Sequence, residues 1–412
     1  MTARTDEASQ LEMDDETFQL SASPAQARLW FLEELSPDTS AYNLSFGMRL
    51  TGDLDIQAFQ RSLSELVRRH ESLRTRFEQQ PEGVMQVVHP PFELPLEHVS
   101  ARLEELGRLC DERVARPFNL ERDWLLRVTL FRFSETEHFV LLVVHHIIFD
   151  GWSMGVFARE LVELYRAFLA GHPSPLPELE LQYADYSEWH REWLLEPALR
   201  KQADYWRERL SGTLPVMQLP TDRPRRAQQT YRGATTACLL PASLMRELKV
   251  RAQEEGATLF MVLLAAFDVL VHRYSGSEDV IVGTPIANRN RAELEGMIGF
   301  FVNTLALRVG VHGDDSLREV LRAVRSTTLA AYDNQDVPFD RIVEQLKLPR
   351  ELGTSPVFQA MLILQNQPMP ELQLPRLKVS PAAVDRRIAT FELVLSVDET
   401  ANGLACTIEY ST

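Results

Sequence analysis

Cysteine is scarce in this chain: only Cys110, Cys238 and Cys406 among 412 residues. An odd, scattered trio fits a reducing compartment and excludes a disulfide scaffold. Runs of apolar residues long enough to span a bilayer are missing. The opening stretch, MTARTDEASQLEMDDE, is acidic and polar and has no apolar h-region, so it is no signal peptide and reads as a disordered lead-in over residues 1–17. Positive charge is in deficit. The net charge of −16 and pI near 5.2 argue against nucleic acid as a partner. Metal-site signatures are also wanting: there is no HExxH, and no cysteine pair lies near the histidines discussed below.

What is present is a chain of ordinary globular composition, 45% hydrophobic and 25% charged. It is long enough for two domains or one two-lobed body. The stretch that organises it is FVLLVVHHIIFDGWSM, Phe139 to Met154. The run Phe139 to Val144 has the composition of a strand buried on both faces. His145 and His146 follow, and because successive strand side chains point to opposite faces, one can face a cleft while the other packs inward. Asp150-Gly151 reads as a tight turn. Ser153 is the expected N-cap of a helix whose apolar positions are Phe157, Leu161, Leu164 and Phe168. A strand, a turn and a helix N-terminus set an imidazole beside unpaired backbone N–H groups, which suits acid–base chemistry. Taken alone, this window also admits a metal site or a structural histidine pair.

Elsewhere the order of elements in the first half is strand, helix, strand, helix, strand, strand, helix. That is an α/β sandwich with helices on a mixed sheet. Ser23 and Pro24 open a first helix. Asn43 lies in a strand expected over Tyr42 to Thr51, and a helix over Asp55 to His70 ends in cations. Arg74 begins the next strand, and Asp150 is its expected carboxylate partner. GHPSPLP, Gly171 to Pro177, is the expected lobe boundary, dividing residues 18–177 from 178–412. In the second half, Leu270-Val-His-Arg-Tyr274 ends a helix much as Leu66-Val-Arg-Arg-His70 does in the first, which points to two lobes of common architecture. The second has no HHxxxDG, so one centre is expected, at the interface between lobes. Asn303 interrupts an apolar run, leaving open a polar contact in a cleft or a satisfied edge residue. The aromatic residues Tyr186, Trp189, Trp193 and Trp206 read as packing.

Several segments, in order, resemble the signature motifs of the condensation domains of nonribosomal peptide synthetases. They are AQARLW (Ala25 to Trp30), RHESLRTRF (Arg69 to Phe77), HHIIFDGWS (His145 to Ser153), YADYSEW (Tyr183 to Trp189), IGFFVNTLALR (Ile298 to Arg308), NQDVPFD (Asn334 to Asp340) and a variant seventh, RELGTSPVFQ (Arg350 to Gln359). The resemblance covers the chain from about Leu20 onward. It implies an α/β fold of two chloramphenicol-acetyltransferase-like lobes in a V, with a tunnel between them entered by two phosphopantetheine arms. It implies that a donor acyl or peptidyl thioester meets an acceptor aminoacyl thioester and an amide forms.

By position, His146 is then the cleft-facing catalytic histidine, His145 is inward and structural, and Asp150 is held by an arginine. Gly151 gives backbone room beside the pantetheine. Arg74 supports the site, and Trp152, Ser153 and Asn303 are tunnel candidates. The resemblance implies no metal and no cofactor of the domain's own. It implies donor and acceptor peptidyl carrier proteins, or an acyl-CoA donor, as partners, an adenylation domain downstream, no nucleic acid, no membrane, a monomer and a cytoplasmic location. Trp152-Ser153-Met154 favours condensation over epimerisation, and both histidines argue against heterocyclisation. The style of the motifs favours elongation with L-residues. A first motif only about twenty residues into the chain also allows a starter domain, which takes a fatty acyl group. A third reading, from another class, is a module that keeps the fold and recruits partner enzymes. Phe149, where a small residue is frequent, is expected to alter packing only. The chain ends at Thr412, before the family's final helix, as a trimmed domain would.

Overall fold

The computed structural model describes residues 17–36, 39–222, 230–347, 355–365, 372–384 and 387–412. The polar lead-in and Arg350 of the seventh motif lie outside them, the lead-in except for its last residue.

The apolar run at the centre of the sequence becomes the strand Glu137–His145, buried on both faces from His138 onward. It is the middle of a five-stranded sheet whose spatial order is Leu377–Ala382, Asn43–Gly52, Glu137–His145, Leu126–Arg132, Leu96–Ser100. Both its neighbours run antiparallel to it. Burial on both faces therefore comes from the layers covering the sheet, not from parallel pairing. The amphipathic helices Ile56–Arg69 and Gly151–Leu169 pack together and bury Phe59, Leu63, Leu66, Phe157, Leu161 and Leu164. Each such side chain, fully withdrawn from water, contributes about 1.5–3 kcal/mol. A six-stranded sheet in the second half is ordered Asn303–Gly310, Asp279–Ile286, Ala360–Gln365, Leu393–Thr400, Gly403–Ser411, Gly233–Pro241. A small three-stranded sheet, Phe18–Ser21, Gly83–Val88, Thr75–Gln80, flanks the first.

Two separate apolar cores result. The first draws on residues between Ala22 and Tyr165 together with Ile298 and Leu374, and the second on residues between Leu199 and Cys406. The fold is thus mixed α/β with two lobes. One strand of the C-terminal half, Leu377–Ala382, crosses to pair with Asn43–Gly52 in the first sheet. A third, small aromatic cluster, built on Tyr183, Tyr186, Met297 and Phe301, sits where the two halves meet. Trp206 is fully buried and donates to the Asn334 carbonyl at 2.7 Å, a core residue as its sequence context implied.

The second core contains an anomaly with a measurable consequence. Asp268 lies on the inner face of the helix Leu259–Ser275, fully buried, and among the described residues neither carboxylate oxygen has a hydrogen-bond partner. Burial pushes its pKa well above the usual carboxylate range. The folded chain therefore holds it neutral, whereas the unfolded chain ionises it above about pH 4. Stability from this group is complete below that pH and is lost as pH rises toward the folded-state pKa, by about 1.4 kcal/mol for each pH step crossed in that window. Asp268→Asn removes the ionisation. Its urea midpoint is expected to match wild type near pH 4 and to exceed it at pH 8. Parallel pH curves for the two proteins would refute a neutral Asp268.

Candidate active site

Strand Glu137–His145 runs into a single 3-10 turn, His146–Ile148, and then into the helix Gly151–Leu169. The strand ends at His145, so the two histidines are parted by the turn and not, as the sequence had implied, by strand alternation. His145 is 1% exposed. Its Nδ1 accepts the Ile147 N–H at 3.2 Å, so the proton sits on Nε2 in the neutral ring and is donated to Glu33 Oε1 at 3.0 Å. Tyr42 and Phe118 meet the ring edge-on. His145 is an inward packing residue.

His146 is half-buried. Its Nδ1–H donates to the Phe149 carbonyl at 2.6 Å, since a carbonyl can only accept. The neutral ring then carries its basic lone pair on Nε2. The ring meets Phe300, from the other half of the chain, edge-on at 4.8 Å between centroids. The imidazole is therefore oriented from its own turn and bounded by the opposite lobe. Helix Pro24–Leu35 supports this turn from behind: Gln26 Nε2 donates to the Ile147 carbonyl at 3.1 Å, and Glu33 holds His145. Phe149 is fully buried against Phe46 and Phe157, a packing role.

Asp150 caps the helix, not Ser153: its Oδ1 accepts the Ser153 N–H at 2.8 Å. An aspartate one position ahead of the first helical residue reaches the third N–H, whereas Ser153 already lies within the helix. Asp150 is fully buried, and its partner is Arg289, at 3.1 and 3.3 Å from the two carboxylate oxygens. Oδ2 also accepts the Phe301 N–H at 3.0 Å. The expected pairing with Arg74 is thus corrected. Arg74 sits in the turn Glu71–Arg74 before the small flanking sheet, where its terminal nitrogens donate to the His89 carbonyl and to Glu71. Arg289 is held in turn by the Met297 carbonyl at 2.8 Å, and its guanidinium lies 3.9 Å from the Phe301 ring centre. Burial pulls the Arg289 pKa down and Asp150 opposes that pull. The ion pair fastens the histidine turn to the segment Gly299–Phe301 of the other lobe.

The remaining residues of interest fall along the same seam. Gly151 is exposed at the start of its helix, where backbone N–H groups have no partner within the helix. Trp152 Nε1 donates to the Glu295 carbonyl at 3.0 Å. Ser153 is fully buried. Its Oγ lies 2.7 Å from Asp150 Oδ1 and 3.0 Å from the Gly299 carbonyl, and it accepts the Gly299 N–H. Asn303 donates to the Gln335 and Val337 carbonyls and accepts from the Phe339 N–H, all at 2.9 Å. Its amide is engaged with backbone, which is the satisfied reading of the polar break in that run. Among the described residues no group of three or more histidine, cysteine, aspartate or glutamate side chains is arranged to hold a metal.

Sequence reasoning missed the contacts that bring the fourth motif to the fifth. Tyr183 donates to the Phe300 carbonyl at 2.7 Å and lies 3.0 Å from Ser23 Oγ. Its ring lies against Gly299, where a Cβ would come within 2.1 Å of Tyr183 Cδ2. Gly299→Ala must displace the tyrosine and with it the chain segment that bounds His146. We expect a stability loss of about 1–3 kcal/mol together with slower turnover, read by urea unfolding and product formation. Wild-type behaviour in both would show that the segment is not held this way. Arg28, from the first motif, pairs with Asp340 of the sixth across the seam. Burial raises the Asp340 pKa, and Arg28 opposes the rise.

Two α/β lobes meeting over an HHxxxDG histidine define a class of acyl-transferring enzymes. The model of the condensation domain family matches residues 17–412. The chain is 46% identical over 402 residues to one of the linear gramicidin synthase proteins of Brevibacillus parabrevis, covering 95% of this chain and 8% of that protein. It is 36% identical over 390 residues to surfactin synthase subunit 1 of Bacillus subtilis (strain 168), covering 95% and 11%. Among solved structures, the X-domain from teicoplanin biosynthesis superposes with a TM-score of 0.89 at 30% identity, covering 98% of this chain and 91% of that one. The first condensation domain of the calcium-dependent antibiotic synthetase, in complex with substrate analogue 3a, gives 0.80 at 21% identity over 96% and 91%, a likeness of fold alone.

The chain belongs to the condensation domain family of nonribosomal peptide synthetases. Condensation domains catalyse peptide-bond formation, and the chain is an enzyme of that class. It spans about a tenth or less of the length of the curated relatives it matches. Among the described residues no single helix is long and apolar enough to cross a membrane.

Proposed function

We propose that this chain joins a donor acyl or peptidyl thioester to the α-amine of an acceptor aminoacyl thioester, each delivered on the phosphopantetheine arm of a carrier protein. The observation that carries the reading is the orientation of His146, whose Nδ1–H is committed to the Phe149 carbonyl at the junction of the lobes. The acceptor amine attacks the donor carbonyl carbon, and a C–N bond forms as the C–S bond breaks. His146 Nε2 accepts the proton that the amine must lose and returns one to the departing thiolate. His145, Asp150 and Arg289 hold the turn that aims it. Helix N–H groups beginning at Gly151 favour negative charge on the tetrahedral oxygen. Holding two tethered thioesters in register supplies much of the remaining rate.

The favoured subtype is elongation with L-residues, in a cytoplasmic assembly where the domain is monomeric and an adenylation domain lies downstream. The experiment is a choice of donor. An acceptor carrier loaded with an aminoacyl group is offered either a fatty acyl-CoA or an aminoacyl or peptidyl carrier, and amide formation is followed by intact mass. Product from the carrier-borne donor is expected. Product from the fatty acyl donor alone would make this a starter domain. The likeness to the teicoplanin X-domain, a structure also solved with the protein OxyB, favours a second reading, a module that recruits a partner enzyme. Failure of both donors would favour that one.

A further inference from the structure

We propose that Cys238 and Cys406 form a reversible disulfide, a thiol modification site that staples the outermost strand of the six-stranded sheet to its neighbour. The sequence scatters its three cysteines, yet the sheet brings two of them together. Strand Gly403–Ser411 pairs antiparallel with Gly233–Pro241, and the register sets Cys406 directly opposite Cys238. Directly opposed residues of an antiparallel pair share a face, with Cα atoms roughly 4.5–5.5 Å apart. That lies inside the roughly 4.4–6.8 Å range a disulfide spans. Burial and the facing Cys238 push the Cys406 thiol up to about 11, and its Sγ–H donates to the Leu404 carbonyl at 3.8 Å.

The two partners are suited to different halves of the exchange. Cys238 is exposed on the outer strand, and Cys406 is 6% exposed within the second core. The remaining cysteine, Cys110, is buried in the first core and does not compete. With a disulfide as oxidant, such as oxidised glutathione, the Cys238 thiolate attacks one glutathione sulfur. A mixed disulfide forms and one glutathione leaves as thiolate. The Cys406 thiolate then attacks the Cys238 sulfur, the protein disulfide closes and the second glutathione leaves. The protein loses two protons and two electrons, and oxidised glutathione takes them up to give two reduced molecules. The new bond fastens the outer strand of the sheet to its neighbour, and it restrains a long loop in the unfolded chain.

The test uses the 412-residue chain as it is. Reduced protein is incubated with oxidised glutathione, unfolded, and alkylated with iodoacetamide. Wild type is expected to lose the mass of two hydrogens, to accept one alkyl group where the reduced chain accepts three, and to yield a proteolytic fragment linking Cys238 to Cys406. Cys110→Ser should keep the link and Cys238→Ser should abolish it. The urea midpoint of oxidised wild type should rise above that of the reduced form, with no rise in Cys238→Ser. A stable glutathione adduct on Cys238, a link through Cys110, or an unchanged midpoint in the linked protein would overturn the proposal.

Discussion

His146→Ala is expected to lower the rate of amide formation by about 10²–10⁴-fold, the span a positioned acid–base group supplies. The geometry says in which constant the loss should fall. His146 is held from behind by the Phe149 carbonyl, faces Phe300 across the junction and is only half-buried. Removing the ring leaves the turn intact, because Asp150, Ser153 and Gln26 anchor the backbone on either side. In the proposed reaction the substrates arrive tethered to carrier proteins, and the imidazole is assigned to the reacting atoms, not to docking of the carriers. The loss should therefore appear in kcat, with KM for the acceptor carrier little changed, the pattern of an interaction made at the reacting atoms. His145→Ala should behave differently. It empties a site that is 1% exposed and strands Glu33, so its loss should appear as a lower unfolding midpoint as well as lower activity. Single-turnover kinetics and urea unfolding of both variants separate the two cases. Equal stability losses would show that the roles assigned here are wrong.

Arg289→Met is expected to cost about 3–5 kcal/mol in stability, because it leaves the fully buried Asp150 carboxylate without its countercharge. Part of the loss should be recovered in the double variant Arg289→Met with Asp150→Asn, since the amide no longer needs a cation. The same carboxylate caps a helix and accepts the Phe301 N–H, so recovery should be partial. Arg74→Met makes the comparison. Arg74 shares its charge with Glu71 and a local carbonyl and touches neither histidine turn nor Asp150, so its effect on turnover should be smaller than that of Arg289→Met. A double-mutant cycle between positions 150 and 289 with a coupling near zero would remove the ion pair from the account.

The histidine turn is legible in the sequence because everything that makes it is local. Val and Leu in an unbroken run become a strand buried on both faces, and Asp150-Gly151 turns it into a helix. The different surroundings of His145 and His146 come from a break in the strand: it ends at His145, and His146 already lies in the 3-10 turn, so the turn and not strand alternation parts the two rings. Asp150 and Ser153 have equal local merit as the helix cap. What decides for Asp150 is a set of partners, Arg289 and the Phe301 N–H, at sequence separations of 139 and 151. The arginine beside Asp150 is legible in kind but not in position, for the same reason. Nothing in the spacing of GTPIANRNR marks Arg289 over Arg74, and only the path of the chain after strand Asp279–Ile286 brings it to the seam. The crossing of Leu377–Ala382 into the first sheet is equally invisible, since a strand's composition names no partner. Asn303 is the balanced case, and backbone contacts on both ends of its amide settle it as a fastening. The opposed cysteines also depend on register, a property no scan of the sequence reveals.

The central claim is that the junction around His146 forms an amide. The direct measurement mixes wild type, and separately His146→Ala, with an aminoacyl-loaded acceptor carrier and a carrier-borne acyl or aminoacyl donor, and follows the acceptor carrier by intact mass over time. The account predicts that with wild type the acceptor gains the donor's acyl group at the amine, and that with His146→Ala this gain is slowed by at least about 10²-fold. No gain with any donor, or the same rate in both proteins, would contradict it.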